Sequence, residues 1–92
     1  MQSLSDTILQ PLVSCIMPTY NRRKFVPHAI RYFLRQEHQN KELIIVDDGT
    51  DCIADLIPDH GAIKYIRLTS KITLGEKLNI ACSNASGSII AN

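Results

Sequence analysis

Two short runs of consecutive apolar residues stand out along the chain, and each ends at residues typical of a turn. The first, LVSCIM over 12–17, stops at a proline, and the second, ELIIVDD over 42–48, ends on two carboxylates followed by Gly49. Continuous β-branched runs of this length are typical of parallel strands buried on both faces. KYIRLT over 64–69 alternates polar and apolar residues, which predicts a strand nearer a sheet edge. SIIA over 88–91 is expected to be a fourth strand.

Helical patterns separate these strands. From about Lys24 to Gln36, a helix is predicted with Asn21 as its N-cap and Pro27 in its opening turn. The apolar residues of this pattern are Phe25, Ala29, Ile30, Phe33 and Leu34. The stretch 52–57 is expected to form a turn or two of helix. A later helix is predicted to end at Gly87 in a left-handed conformation. Its apolar stripe is Leu74, Leu78, Cys82 and Ala85.

The alternation of strands and helices predicts an α/β fold. We expect a Rossmann-like, mostly parallel four-stranded sheet with flanking helices over residues 13–92, preceded by a lead-in at 1–12. Ligands of such sheets bind at the carboxyl ends of the strands, where loops and helix N-termini offer free backbone donors. PTYNRR at 18–23 and DDGT at 47–50 occupy those ends. The sequence therefore predicts a binding site there.

Composition narrows the class of protein. The chain has 92 residues and a formal net charge of +1, which fits one small domain and gives no general field for nucleic acid or an anionic membrane. The start resembles no signal peptide, and no run approaches the ~18 apolar residues of a membrane helix. The three cysteines form no CxxC pair and are expected to be buried and reduced. These features favour a cytoplasmic location, with no metal site built from cysteine and histidine.

The paired acids at the end of the second strand must have different roles. Neighbouring strand residues point to opposite faces, so Asp47 and Asp48 cannot serve one ligand in the same way. Asp47 is interpreted as capping the following turn, with Gly49 supplying a special φ. Asp48, nearer the opening, is the better candidate for accepting hydrogen bonds from a base or a ribose.

Three further segments offer groups for a nucleotide. Pro18 fixes the exit of the first strand, and Tyr20 offers a ring on which a base can stack. Arg22 and Arg23 could each pair with phosphates, although Arg23 fits a solvated helix start at least as well. Lys77, near the start of the later helix, could lie against a diphosphate or could be a surface lysine. The sequence has no G-x-G-x-x-G and no P-loop, which argues against a dinucleotide cofactor.

Four motifs in register resemble the amino-terminal part of a family 2 glycosyltransferase. They are VSCIMPTYNRR, AIRYFLRQ, ELIIVDDGT and LGEKLNIACSNASGSIIAN. The resemblance implies the A-type glycosyltransferase fold and a sugar-nucleotide donor, with UDP-sugar expected. It implies that Pro18, Thr19 and Tyr20 line the base pocket and that Asp48 bonds the base. Asp47 would support the turn or the ribose, and Lys77 would approach the donor, although Leu78 stands where the family often has arginine.

The resemblance also implies a missing element. In the family, a strand like SIIAN is soon followed by a D-x-D cluster that binds Mg²⁺ or Mn²⁺, and Asn92 precedes any such cluster. We therefore expect no cofactor, metal ligand or catalytic residue within this chain, an unknown acceptor, and no transfer by the chain alone. Two alternatives stay open: a non-catalytic remnant that self-associates through its open sheet edge, and a receiver-like signalling domain, in which paired acids end an early strand.

Overall fold

The computed structural model describes residues 11–87 and 89–91, and most of the predicted lead-in at 1–12 lies outside them. Four parallel strands form one sheet in the order β3-β2-β1-β4, which confirms the predicted α/β class and the four-stranded parallel sheet. The strands are β1 Val13–Thr19, β2 Lys41–Asp47, β3 Ile63–Arg67 and β4 Ile89–Ala91. The helices are α1 Val26–Arg35 and α2 Leu74–Asn84, with a 3₁₀ turn at Ala54–Leu56.

Strand β2 is the centre of the core. Its residues Ile44, Ile45 and Val46 are each 0% exposed, as the continuous apolar run predicted. One face of the sheet carries the cluster that includes α1, and the other carries the cluster that includes α2. Because β2 is covered on both faces, it fixes where both helices and the loops that lead into them must lie.

Helix α1 begins two residues later than predicted. Its N-cap position is Phe25, and Asn21 does not cap it. The buried stripe is Val26, Ile30 and Phe33, spaced four and three apart, whereas Phe25 and Leu34 are exposed. Pro27 lies in the opening turn, as expected. The predicted stripe was correct for Ile30 and Phe33, but it included the exposed Phe25 and Leu34 and lacked the buried Val26.

Helix α2 also differs from the prediction. A capping box between Thr73 and Glu76 starts it: the Thr73 hydroxyl accepts from Glu76 N–H, and Glu76 accepts from Thr73 N–H. The helix buries Lys77 and Ala81. Leu74, Cys82 and Cys52 are exposed and Cys15 is half-buried, so the expectation of buried cysteines was wrong.

Gly87 is needed for space and not for a left-handed conformation, because no described glycine has a positive φ. A Cβ at this position would lie 2.6 Å from Leu12 O and would also clash with the Ser14 hydroxyl. Its N–H donates to Ser14 Oγ at 2.8 Å. The glycine therefore allows the chain that leads into β4 to approach β1 closely.

A buried carboxylate ties this approach to the sheet. Glu42 Oε2 accepts from the Ser14 hydroxyl at 2.5 Å and from Ser86 N–H at 2.6 Å, and Glu42 Oε1 lies 3.1 Å from Lys64 Nζ. Burial alone would raise the pKa of Glu42, but these donors hold it below its ordinary value. One side chain of β2 thus connects β1, β3 and the segment before β4.

Candidate functional site

The carboxyl ends of β1 and β2 lie side by side. Thr19 is opposite Asp47 in the parallel register, and Asp48 N–H donates to Thr19 O at 3.3 Å. Tyr20 and Asp48 therefore follow neighbouring strands at the same end of the sheet. We call this end, where the carboxyl termini of the strands lie, the carboxyl edge. This edge is where ligands of open α/β sheets bind.

Asp47 has internal partners at both carboxylate oxygens. Oδ1 accepts from Gly49 N–H at 2.9 Å, and Oδ2 accepts from the Tyr65 hydroxyl at 2.7 Å and lies 3.6 Å from Arg67 Nη1. The residue is 0% exposed. Burial first, and then the hydrogen bond to Asp47, raises the pKa of Tyr65 well above its ordinary value. Asp47 therefore holds the turn after β2, as one interpretation of the sequence expected.

The turn differs from the prediction in where it needs its unusual backbone. The positive φ, 53°, belongs to Asn21, and Gly49 has none. A Cβ on Gly49 would lie 2.6 Å from Asn21 Oδ1 and 2.7 Å from Asn21 N. Asn21 Oδ1 accepts from Thr50 N–H at 2.9 Å and from Asp51 N–H at 3.0 Å. Asn21, which was expected to cap α1, instead joins the two loops of the edge.

Arg23 strengthens the same junction. Its guanidinium donates to Asp51 through Nε and Nη2 at 2.8 and 3.0 Å, and to Asp55 through Nη1 at 2.7 Å. The hydrogen bonds to Asp51 and Asp55 raise the pKa of Arg23, and the Arg23 guanidinium lowers the pKa of each carboxyl. Arg23 is therefore engaged in holding loops together. Arg22, the residue predicted to meet phosphate, is exposed.

Asp48 forms a buried ion pair with Lys77. Its Oδ1 lies 2.8 Å from Lys77 Nζ, and its Oδ2 accepts from Ile72 N–H at 2.9 Å. Asp48 is 3% exposed and Lys77 is 8% exposed. Burial would raise the pKa of Asp48, but the Lys77 ammonium and the Ile72 N–H hold it below its ordinary value. Neither the surface-lysine interpretation nor a solvent-facing Asp48 agrees with this geometry.

The loop between β3 and α2 is a third segment at the carboxyl edge, joined to Asp48 by the Ile72 N–H. The loop between β3 and α2 carries Lys71, whose ammonium lies 4.8 Å from the centre of the Tyr20 ring. Tyr20 is 36% exposed. Thr19 is 5% exposed, and within the described ranges its buried Oγ1 has no hydrogen-bond partner.

The structure brings six of the seven predicted site residues to one edge: Pro18, Thr19, Tyr20, Asp47, Asp48 and Lys77. The seventh, Arg22, follows in the loop after β1 and is exposed. The sequence analysis missed Lys71 and the joining role of Asn21. The sequence does show that Lys71 stands in a polar loop after a strand. It does not show that this loop brings the Lys71 ammonium onto the Tyr20 ring.

The described part of the chain contains neither a cluster of metal ligands nor a membrane-spanning helix. No three His, Cys, Asp or Glu side chains come together in an arrangement that could hold a metal ion. Over the same residues, no helix has the length and apolar character needed to cross a bilayer.

Comparisons with known proteins identify relatives of this chain. Residues 14–92 match the model of the family described as Glycosyl transferase family 2. An uncharacterized glycosyltransferase of Rickettsia felis is 40% identical over 93 residues, covering 98% of this chain and 15% of the relative. Glycosyltransferase GlyG of Streptococcus pneumoniae is 31% identical over 88 residues, covering 89% of this chain and 29% of the relative.

A solved structure shares the fold. The mannosyltransferase PcManGT of Pyrobaculum calidifontis, described in complex with GDP-Man and Mn²⁺, superposes with a TM-score of 0.80 at 24% identity. The match covers 88% of this chain and 26% of that protein. This chain therefore corresponds to a small part of longer relatives.

The Asp48–Lys77 pair predicts a specific pattern of stability. Replacing Lys77→Met leaves a buried carboxylate unpaired and is expected to cost about 3 kcal/mol of unfolding free energy. Asp48→Asn should also destabilise, and the double variant should lose less than the sum of the two. Urea unfolding measures all three, with Lys24→Met, at an exposed lysine, as the control. Strictly additive losses would contradict the pairing.

The pH dependence follows from the lowered pKa of Asp48. A carboxyl whose pKa is depressed by folding stabilises the protein fully above its unfolded pKa, about 3.9 for aspartate, and loses that contribution as pH falls through the folded value. The stability difference between the natural chain and Lys77→Met should therefore narrow below about pH 4.

Proposed function

This chain belongs to glycosyl transferase family 2, and we propose that it binds the nucleotide of a sugar-nucleotide donor, with UDP as the expected nucleotide, at the carboxyl edge of its sheet. The complete reaction in this family context would transfer the sugar from the nucleotide to an acceptor. The observation that carries the proposal is the meeting of three loops at one edge, those that follow β1, β2 and β3.

Each group at the edge has a proposed role. The Tyr20 ring stacks on the base, because an aromatic face accepts any base and is partly exposed here. Asp48 is the proposed acceptor for a ring N–H of the base, since each of its oxygens accepts one hydrogen bond and keeps a second lone pair. Because its side chain is buried in the free chain, the proposal requires the loop that carries Ile72 to shift when a base enters. The lowered pKa of Asp48 keeps it ionised and suited to this task.

The neighbouring residues complete the proposed pocket. Pro18 and Thr19 form its floor at the end of β1, where the Thr19 hydroxyl has unused hydrogen-bonding capacity. Asp47 supports the floor from inside through the Gly49 turn. Arg22, which is exposed in the loop after β1, is the proposed phosphate contact, and Lys77 is proposed to act by orienting Asp48. A divalent metal such as Mg²⁺ or Mn²⁺ would neutralise the diphosphate, but the described residues offer no ligand set for it.

Binding should depend on Tyr20. Tyr20→Ala is expected to weaken UDP binding about tenfold, because base stacking on an aromatic ring contributes about 1–3 kcal/mol. NMR titration of the chain with UDP measures this, and Tyr32→Ala, at an exposed tyrosine of α1, is the matched control. The absence of shifts near Pro18, Tyr20 and Asp48 would contradict the site.

The same titration with GDP tests the base. A carboxylate can accept hydrogen bonds from guanine as well as from uracil, and the structural neighbour is described with GDP-Man. Tighter binding of GDP than of UDP would contradict the uracil assignment and leave nucleotide binding in place.

We expect the chain to bind its donor without transferring the sugar. Asp47 and Asp48 are engaged by Tyr65 and Lys77, and Asp51 and Asp55 are engaged by Arg23, so none of these carboxylates is available as a general base for an acceptor hydroxyl. Incubation with UDP-sugars and simple sugar acceptors, followed by measurement of released UDP, is expected to give no signal above a protein-free control. Enzyme-dependent release would contradict this expectation.

Self-association is a second candidate function. β3 and β4 are the edge strands of the described sheet, and a cleft of about 440 Å³ lies beside β1 and α1. Residues lining this cleft include Cys15, Met17, Ala29, Tyr32 and Phe33. Apolar clefts and open sheet edges favour pairing with a second copy.

If this second function operates, Tyr32→Glu should lower the apparent mass of the chain at high concentration by placing a charge at the cleft. Sedimentation equilibrium measures the mass, with Arg31→Glu as the control on the neighbouring exposed position. A monomer at every concentration would exclude self-association.

A further inference from the structure

The cations at the carboxyl edge differ in what they contact. Arg23 pairs with Asp51 and Asp55, Lys77 pairs with Asp48, and Arg67 pairs with Asp47. Lys71 contacts an aromatic ring instead, that of Tyr20. Within residues 11–87, Lys71 is an exposed cation at this edge whose charge no carboxylate neutralises.

The backbone beside Lys71 is anchored to the site. Ile72, the next residue, donates its N–H to Asp48 Oδ2 at 2.9 Å. The Lys71 side chain therefore leaves from a fixed point, while its four-carbon stem can take several rotamers. A fixed base and a flexible stem allow the ammonium to reach more than one position around the edge.

The ring that Lys71 covers is the one proposed to stack on the base. An ammonium over an exposed aromatic face is held by about 0.5–1 kcal/mol, which is weak enough to be displaced. Because Tyr20 is 36% exposed, a stacking base competes with Lys71 for the ring. A free nucleoside must displace the cation without replacing its interaction. A nucleotide brings phosphate oxygens that can accept the displaced ammonium.

We propose that Lys71 makes this site selective for phosphorylated nucleotides over free nucleosides, by covering the Tyr20 ring in the free chain and moving to phosphate when a base takes its place. This inference rests on the proposed function.

The experiment compares uridine with UDP in the natural chain and in Lys71→Ala. We expect uridine to bind about threefold more tightly in the variant, because the ring is uncovered. UDP should bind about threefold more weakly, because a charge-assisted contact is lost. The ratio of the two dissociation constants should thus fall about tenfold. Arg31→Ala, which removes one exposed charge from α1, is the control and should leave the ratio unchanged.

The outcomes separate the two proposals. If UDP binds the natural chain and Lys71→Ala leaves the ratio unchanged, the selectivity role of Lys71 is wrong and the nucleotide site stands. If the variant weakens uridine and UDP equally, Lys71 supports the pocket structurally and the proposal is also wrong. If the natural chain binds neither ligand, the proposed function fails and the selectivity inference fails with it. Lys71→Arg should retain the natural ratio, since it keeps the charge over the ring.

Discussion

The buried ion pair between Asp48 and Lys77 organises the carboxyl edge of this protein. The ends of β1 and β2 meet through the ladder of the sheet itself. The loop after β3 begins at that ladder, where Leu68 N–H donates to Asp47 O at 2.9 Å, and its later residues need another anchor. The loop is held at the carboxyl edge because one oxygen of Asp48 accepts a hydrogen bond from Ile72 N–H and the other accepts one from the Lys77 ammonium. Since a buried charge without a partner is costly, the carboxylate and the start of α2 require each other.

Much of the fold could be predicted from apolar patterns. The patterns did not show which residues at a helix start are buried or which side chains pair with each other. The continuous runs gave β1 and β2 because a strand covered on both faces needs no polar alternation. The first residue of the helical stripe before Gln36 was assigned wrongly, since Phe25 and Val26 are both apolar and only packing decides which is buried. Lys77 was open to a surface interpretation, because a buried lysine is recognisable only once its carboxylate partner is known. The same holds for Asn21, whose role depends on a loop almost thirty residues away.

At the carboxyl edge of the sheet, the buried charges are paired within the protein and other cations are exposed. The inner carboxylates, Asp47 and Asp48, are satisfied by Tyr65, Arg67 and Lys77 and contribute little net charge to an incoming ligand. The outer cations, Arg22 and Lys71, face solvent. Asp51 and Asp55 also lie at this edge and are paired with Arg23. Exposed cations beside neutralised inner carboxylates agree with the proposed preference for a phosphorylated ligand.

The carboxylate of Glu42 has a consequence for how the sheet tolerates sequence change. Because Ser86 and Gly87 dock on it through their backbone N–H groups, β4 receives its alignment before its own first residue. Backbone groups that precede β4 therefore already hold the chain beside β1 before the strand begins. This close approach restricts Gly87, where even a methyl group would collide with Leu12 O. A substitution at Gly87 would therefore push this segment away from β1 and disturb how β4 joins the sheet.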